Sequence, residues 1–260
     1  MAAALYLAGA GRTRVAGRAW PLWRTALFLA GCLAILAALT GPIDALAHEL
    51  FSVHMVQHML LATVGAPLLL LGAPVRPLLR GLPLSVRRSV VRPLARSRAL
   101  RALVHLLRHP LVAGGLYVGG LYAWHVPVLY DGALADPLVH VVEHLWFLVT
   151  ALLFWSVVID PVPFRSRLPY AARIFFLLLA GAGQNTILGG LLSFSTRLLY
   201  RSYADGQPER HGIDAVLDQR IGGAVMWVPG DLIFLGAASV AFFLWLAQEE
   251  REQRARERRV

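Results

Sequence analysis

The feature that most constrains this chain is a series of long apolar stretches. A helix that crosses the hydrocarbon core of a bilayer needs roughly 20 mostly apolar residues. Stretches of about this kind lie at residues 20–40, 49–72, 110–126, 138–159, 171–192 and 222–247. Hydrophobic residues make up 57% of the chain and charged residues only 15%, which is more apolar than ordinary soluble domains. The sequence therefore predicts an all-α, polytopic membrane helix bundle of about six transmembrane helices.

The remaining segments do not suggest a second domain. Residues 73–109 form a basic connection between the second and third stretches, and residues 248–260 form a charged tail. The third stretch, residues 110–126, is the shortest and is rich in glycine, which lets helices approach closely inside a membrane bundle. Because no internal repeat or domain linker is visible, residues 1–247 are predicted to form a single transmembrane bundle.

Arginine placement predicts the orientation of the bundle. All 25 basic residues are arginines, and basic residues in short loops stay on the cytoplasmic side of a membrane. They cluster before the first stretch, in the basic connection, in the charged tail and around the fourth link at Arg165, Arg167 and Arg173. Because these regions alternate with loops of acidic or mixed charge, both termini, the connection and the tail are predicted to be cytoplasmic.

The net charge of +10 does not point to nucleic acid as a partner. The arginines lie between apolar stretches, whereas nucleic-acid binding needs a solvated basic face with helical or aromatic readers. They suit anionic lipid headgroups, which an amphipathic helix in the basic connection would contact. The one cysteine, Cys32, excludes an internal disulfide and a CxxC site.

The first stretch has an alternative interpretation as a cleaved signal peptide. Arginines, an apolar run over residues 25–39 and the small residues near 45–47 resemble the three parts of such a peptide. Trp20 and Trp23 at the inner edge, together with the full length of the stretch, favour a retained span.

Two of the stretches carry histidine pairs with the same spacing. His54 and His58 in the second stretch, and His140 and His144 in the fourth, are four residues apart and so share one face of a helix. Ionisable side chains inside a bilayer usually face the bundle interior and mark a site. Glu143 lies beside the second pair and could fix an imidazole tautomer from outside a metal's ligand set.

The predicted direction of each span places these histidines at the same end of the bundle. Both pairs fall in the outer halves of their stretches, His125 lies at the outer exit of the third stretch, and His48 lies just outside the second. Imidazole suits copper, zinc and iron, and thioether sulfur favours Cu(I). We therefore predict a metal site, preferably for copper, with zinc, iron and haem as alternatives. Its candidate ligands are His48, His54, His58, His125, His140 and His144.

Each of these residues also has a structural interpretation. The histidine pairs could make interhelical hydrogen bonds, and Met55 and Met59 could serve as adaptable packing rather than as groups near the metal. Asp218 reaches the same outer layer and could support a ligand or cap a helix. Asp231 lies further along the sixth stretch and requires a partner, because a buried carboxylate is costly.

Several motifs, taken together, resemble the polytopic CtaG-type cytochrome c oxidase assembly proteins. These motifs are SVHMVQHMLL at residues 52–61, Trp124-His125-Val126-Pro127, Tyr130-Asp131, His140, Glu143-His144, Phe154-Trp155, Asp218-Gln219, Gly222-Gly223 and Met226-Trp227. The combination in this order is far more specific than one HxxxH pair. Members of that family are commonly described with one more span than the six stretches counted here.

The resemblance implies a multi-pass protein of a bacterial cell membrane that helps to mature a haem-copper oxidase, handling copper destined for it. Partners would be cytochrome c oxidase subunits and a copper chaperone. The rival functions are a di-iron membrane enzyme, a haem protein and a copper transporter that use the same histidines. Di-iron hydroxylases carry a further box with adjacent histidines, and no HH dipeptide exists in this chain, so a non-enzymatic role is predicted.

Overall fold

The computed structural model describes residues 1–15, 18–161, 166 and 168–258. Arg165 and Arg167 of the fourth link and Arg259 of the charged tail lie outside the described residues. Nearly all regular structure is helical, and the only strands in the described part are the two-residue antiparallel pair β1 (Arg14–Val15) and β2 (Arg18–Ala19). The prediction of an all-α bundle is confirmed.

The described helices are numbered here in chain order. They are α1 (Ala2–Gly11), α2 (Leu22–Leu39), α3 (Pro42–Ala47), α4 (Phe51–Leu71), α5 (Val75–Gly81), α6 (Leu84–Val86), α7 (Arg92–Arg96), α8 (Arg98–Leu107), α9 (Pro110–Trp124), α10 (Pro127–Ala135), α11 (Pro137–Val158), α12 (Tyr170–Ser193), α13 (Gln207–Arg210) and α14 (Ala215–Glu257). The π-helical segments are Leu60–Gly65 within α4, Arg87–Val91 between α6 and α7, and Leu177–Gly183 within α12, and a 3₁₀ turn covers Arg201–Tyr203.

Five described helices are long and apolar enough to cross a membrane, namely α2, α4, α11, α12 and α14. A sixth span is formed if α9 and α10 are taken together, although they are bent by 77° relative to each other. Pro127 at the start of α10 explains the break, because proline lacks the N–H of a continuing helix and disfavours helix in the residue before it. The expected number of about six spans is therefore confirmed.

Aromatic residues of α11 and α14 pack together in the middle of the bundle, and one of them also contacts α4. The rings of Trp155 and Phe234 stack at 5.5 Å, and Phe154 contacts both. Trp155 also donates a hydrogen bond of 2.9 Å from its indole nitrogen to the carbonyl oxygen of Ala62. Ala62 lies in the π-helical part of α4, where the altered backbone ladder accommodates a side-chain donor.

The carboxylate of Asp231 has partners across the bundle. Thr186 of α12 donates a hydrogen bond to it from the hydroxyl group, and the amide nitrogen of Asn185 lies 3.4 Å from its other oxygen. Both partners come from α12, so these contacts join α12 to α14. They provide the hydrogen-bond partners that the sequence predicted for the Asp231 carboxylate.

The orientation of the bundle remains a prediction that reporter fusions can test. Fusions at Arg88 and Arg256 should behave as cytoplasmic, and fusions at Asp131 and Gly206 should behave as exported, because arginines are retained inside. Paired cytoplasmic and periplasmic reporters should give opposite signals at each position. A cytoplasmic signal at Asp131 would contradict this orientation, because the histidine end of the bundle would then face inward.

Candidate metal centre

Helices α4 and α11 lie side by side and bring their histidine pairs together. The ring centroids of His140 and His144 are 4.2 Å apart, that of His54 lies 5.2 Å from His140, and that of His58 lies 5.5 Å from His144. All four rings are buried. The i, i+4 spacing therefore places each pair on the face that meets the other helix, and not toward lipid.

Glu143 lies at the centre of this group. One ligand atom each from His54, His140, Glu143 and His144 lies within 4.8 Å of the others. The Nε2 atoms of His54 and His58 each approach one carboxylate oxygen of Glu143 at 3.8 Å, which is too long for a hydrogen bond. We call these five residues, His54, His58, His140, Glu143 and His144, the His–Glu cluster.

Several polar atoms of the His–Glu cluster lack hydrogen-bond partners among the described residues. They are both carboxylate oxygens of Glu143, Nε2 of His140, Nε2 of His144 and Nδ1 of His58. Buried polar groups in proteins are nearly always hydrogen-bonded, and each one left unsatisfied costs about 1–3 kcal/mol. An acidic group fully buried between helices, surrounded by lone pairs of imidazoles, is an arrangement that a cation would complete.

Two tyrosines orient the imidazole of His54. Its Nδ1 lies 2.8 Å from the Tyr130 hydroxyl and 3.3 Å from the Tyr203 hydroxyl, and these hydroxyls lie 3.1 Å apart. Tyr203 donates its proton to the carbonyl oxygen of Ala47, so it can only accept from Tyr130 and His54. This network can hold the His54 proton on Nδ1 and leave a lone pair on Nε2, which faces Nε2 of His58 at 2.9 Å.

No motif or spacing in the sequence indicated Tyr203, which lies in the connection between α12 and α13. Asp131 at the bend of the chain accepts hydrogen bonds from the backbone N–H groups of Arg201 and Ser202 and from the Ser202 hydroxyl. These contacts hold the loop over the cluster. Burial raises the pKa of Tyr203 well above its ordinary value, which keeps the hydroxyl protonated and able to donate.

The remaining predicted ligands lie next to the His–Glu cluster and not within it. His125 lies on the far side of His58, with ring centroids 6.4 Å apart, and His48 lies at the exposed edge, 5.0 Å from His140. Met55 is fully buried, and its sulfur lies 3.5 Å from Nε2 of His125. All six predicted histidines are thus at one end of the bundle, but only four surround Glu143.

Asp218 acts on the backbone of α4. Its carboxylate accepts hydrogen bonds from the N–H of Phe51 at 2.6 Å, the N–H of Ser52 at 3.2 Å and the Ser52 hydroxyl at 2.5 Å. The first N–H groups of a helix have no partner within that helix, so Asp218 supplies one from α14. Gly222, one turn further along, allows this close approach because an added Cβ would overlap the Phe51 ring. Asp218 therefore fixes the start of the helix that carries His54.

Comparison with known proteins places the chain among bacterial relatives. An uncharacterized protein of Mycobacterium leprae is 34% identical over 257 residues, which cover 95% of this chain and 38% of the relative. Uncharacterized proteins of Mycobacterium bovis and Mycobacterium tuberculosis are each 32% identical over 257 residues, covering 95% of this chain and 37% of theirs. The chain thus spans less than two-fifths of the length of these relatives. No solved structure matches it.

The family comparison covers almost the whole chain. Residues 4–248 match the family described as cytochrome c oxidase caa3 assembly factor. This range contains α2, α4, α11, α12, most of α14 and every residue of the His–Glu cluster. The chain therefore belongs to the cytochrome c oxidase caa3 assembly factor (CtaG) family.

Proposed function

We propose that this chain is a membrane assembly factor that binds copper in the His–Glu cluster during maturation of a haem-copper cytochrome c oxidase. The observation that carries the proposal is the environment of Glu143. Its side chain is fully buried, both oxygens lack hydrogen bonds among the described residues, and imidazole nitrogens approach from α4 and from its own helix. A buried carboxyl group without a hydrogen-bond partner is satisfied most directly by a bound cation.

The chemistry of the donors supports a transition metal. Three or four imidazoles with one carboxylate are ligands suited to copper, zinc and iron, and unlike the all-oxygen sets that hold calcium or magnesium. His54 has the supporting hydrogen bonds typical of a ligand, because Tyr130 and Tyr203 hold the ring nitrogen opposite to the one facing Glu143. Copper is preferred among these metals because the family assembles a copper-containing oxidase.

The geometry weighs against two of the rival functions, a haem protein and a di-iron enzyme. The described cavity that adjoins His58 has a volume of only about 20 Å³, which cannot hold a porphyrin between two axial histidines. The His–Glu cluster contains one carboxylate, whereas carboxylate-bridged di-iron sites in helical bundles use several. These observations support a role in holding the metal rather than oxygen chemistry.

The basic connection supports a second contact, with anionic lipid. In α8, Arg98 and Arg101 alternate with the exposed side chains of Leu100, Leu103 and Leu106. A helix with exposed leucines and arginines lies well at the boundary between acyl chains and negative headgroups. The oxidase subunits and a copper chaperone complete the proposed partners, and the proposed location is the cell membrane of a bacterium.

Copper analysis of the detergent-purified chain tests the proposal. The wild-type chain should retain copper after gel filtration, and the His54→Ala/His58→Ala double variant should retain clearly less, because two imidazoles of the His–Glu cluster are removed. Leu61→Ala is the matched control, since it also truncates a fully buried residue of α4 but removes no donor. Equal copper in all three proteins would contradict the proposal.

A further inference from the structure

A second group of potential ligands lies on the other side of His58. A small internal cavity of about 20 Å³ is lined by Met55, His58, Met59, Tyr117, His125 and Met226, among others. The chain has only four methionines, and three of them line this cavity. We call this space the methionine chamber. Its volume is about that of one water-sized sphere, which is enough for one dehydrated ion and too small for an ion with its hydration shell.

The protonation of His125 identifies a free lone pair in this chamber. Its Nδ1 lies 2.8 Å from the backbone carbonyl oxygen of Leu121, which can only accept, so Nδ1 carries the proton. Nε2 of the neutral ring is then an acceptor, and it faces the sulfur of Met55 at 3.5 Å. Thioether sulfur has no proton to give. The two atoms are therefore acceptors that face each other in a buried site, and a cation between them would satisfy both.

Two further features of the chamber fit a metal ligand set. A histidine that binds a metal usually donates its other ring N–H to a carbonyl or carboxylate, as His125 does to Leu121. His58 is buried, lines the chamber, and its Nδ1 has no hydrogen-bond partner among the described residues. Because Nε2 of the same ring faces His54 and Glu143, His58 lies between the chamber and the His–Glu cluster.

The donors of the chamber differ in kind from those of the His–Glu cluster. The lining residues include thioether sulfurs and imidazoles but no carboxylate and no cysteine. Thioether ligands select Cu(I) over divalent ions such as Zn²⁺, which prefer imidazole, thiolate and carboxylate. No anionic side chain is among the described lining residues, which suits a monovalent ion better than a divalent one. The free-energy cost of burying an ion rises steeply with its charge.

The geometry points to the methionine chamber as a separate Cu(I) site, with Met55 and His125 as its ligands and Met59 and Met226 completing the set. The inference rests on the proposed function for copper as the metal, since thioether and imidazole donors by themselves indicate only a soft cation. With His58 between them, the two sites provide successive positions for copper, which stays monovalent in passing from one to the other.

The test is titration of the full detergent-purified chain with Cu(I) against a chromophoric Cu(I) competitor. Wild type should bind about two Cu(I) ions, and the Met55→Leu/Met59→Leu/Met226→Leu variant about one. The single variant Met55→Leu should weaken the second site by more than about tenfold, beyond the loss typical of outer-shell changes. Leucine replaces methionine at nearly constant volume, so the bundle should remain folded. Zn²⁺ binding, which depends on the His–Glu cluster, should be equal in all these proteins.

X-ray absorption at the copper edge identifies the donor atoms directly. Wild type loaded with Cu(I) should show sulfur scatterers, which should persist in His140→Ala and vanish in the triple methionine variant. Nitrogen and oxygen scatterers alone in wild type, or unchanged Cu(I) binding by the triple variant, would overturn the inference. Either result would leave the proposed function standing if Zn²⁺ and copper still depended on the His–Glu cluster. Conversely, sulfur scatterers with no metal in the cluster would support the chamber and contradict the proposed function.

Discussion

Replacing His144 by alanine should abolish the assembly of a copper-containing oxidase while leaving the variant chain inserted in the membrane. His144 contributes a buried Nε2 without a hydrogen-bond partner among the described residues, so in the proposed copper site its loss would remove a direct metal bond. Changes in residues that only support ligands already cost 10- to 100-fold in metal affinity, and removal of a ligand should cost more. A neutral imidazole that only makes an interhelical hydrogen bond contributes about 0.6 kcal/mol, and at most about 2. Insertion should therefore survive.

The measurement is oxidase activity and oxidase copper content in membranes that contain each variant at wild-type abundance. His58→Ala should give the same loss as His144→Ala, because both rings approach Glu143. Leu61→Ala, in the same helix as His58, controls for packing, since it opens a cavity without removing a donor. Its strain should keep oxidase activity in proportion to the amount of the variant that remains. Normal oxidase in both histidine strains would leave the histidines with a structural role only.

Replacing Glu143 by glutamine should have opposite effects on metal binding and on the stability of the metal-free protein. Glutamine keeps the size of the side chain and removes its charge, so metal retention should fall by more than about tenfold. In the metal-free protein, glutamine should raise the melting temperature, because an ionisable group that is buried without a hydrogen bond is destabilising.

Thermal unfolding and metal retention of Glu143→Gln should be compared with those of Glu49→Gln. Glu49 is partly exposed and pairs with His211 at the surface, so its replacement should change neither quantity by much. A purely structural role for Glu143 would show as a lower melting temperature of the glutamine variant in the absence of metal, with metal retention unchanged. That pattern would contradict the role assigned to the carboxylate.

The parts of this fold that follow from local periodicity could be predicted from the sequence. Apolar length predicts the spans, and the i, i+4 spacing predicts that His54 and His58 share a face, because both depend only on helix geometry. The pairing of that face with His140 and His144 required the further assumption that α4 and α11 are neighbours. The structure brings these two helices together.

Contacts between residues far apart in sequence could not be predicted in this way. Tyr203 reaches His54 from a loop 149 residues further along, and Asp218 reaches the start of α4 from a position 167 residues away from Phe51. No helical or strand period links such residues. The 77° bend between α9 and α10 is partly predictable, because Pro127 in the sequence indicates that a helix ends before it. The angle itself depends on how α9 and α10 pack.

The measurement that tests the central claim most directly is X-ray absorption of the copper retained by the purified wild-type chain. The claim is that imidazoles of α4 and α11, with Glu143, hold the metal. The spectrum should contain the multiple-scattering signature of several imidazole ligands, and this signature should be reduced in the His54→Ala/His58→Ala variant at equal protein concentration. A wild-type chain that retains no copper, or a spectrum that is unchanged in the double variant, would contradict the claim.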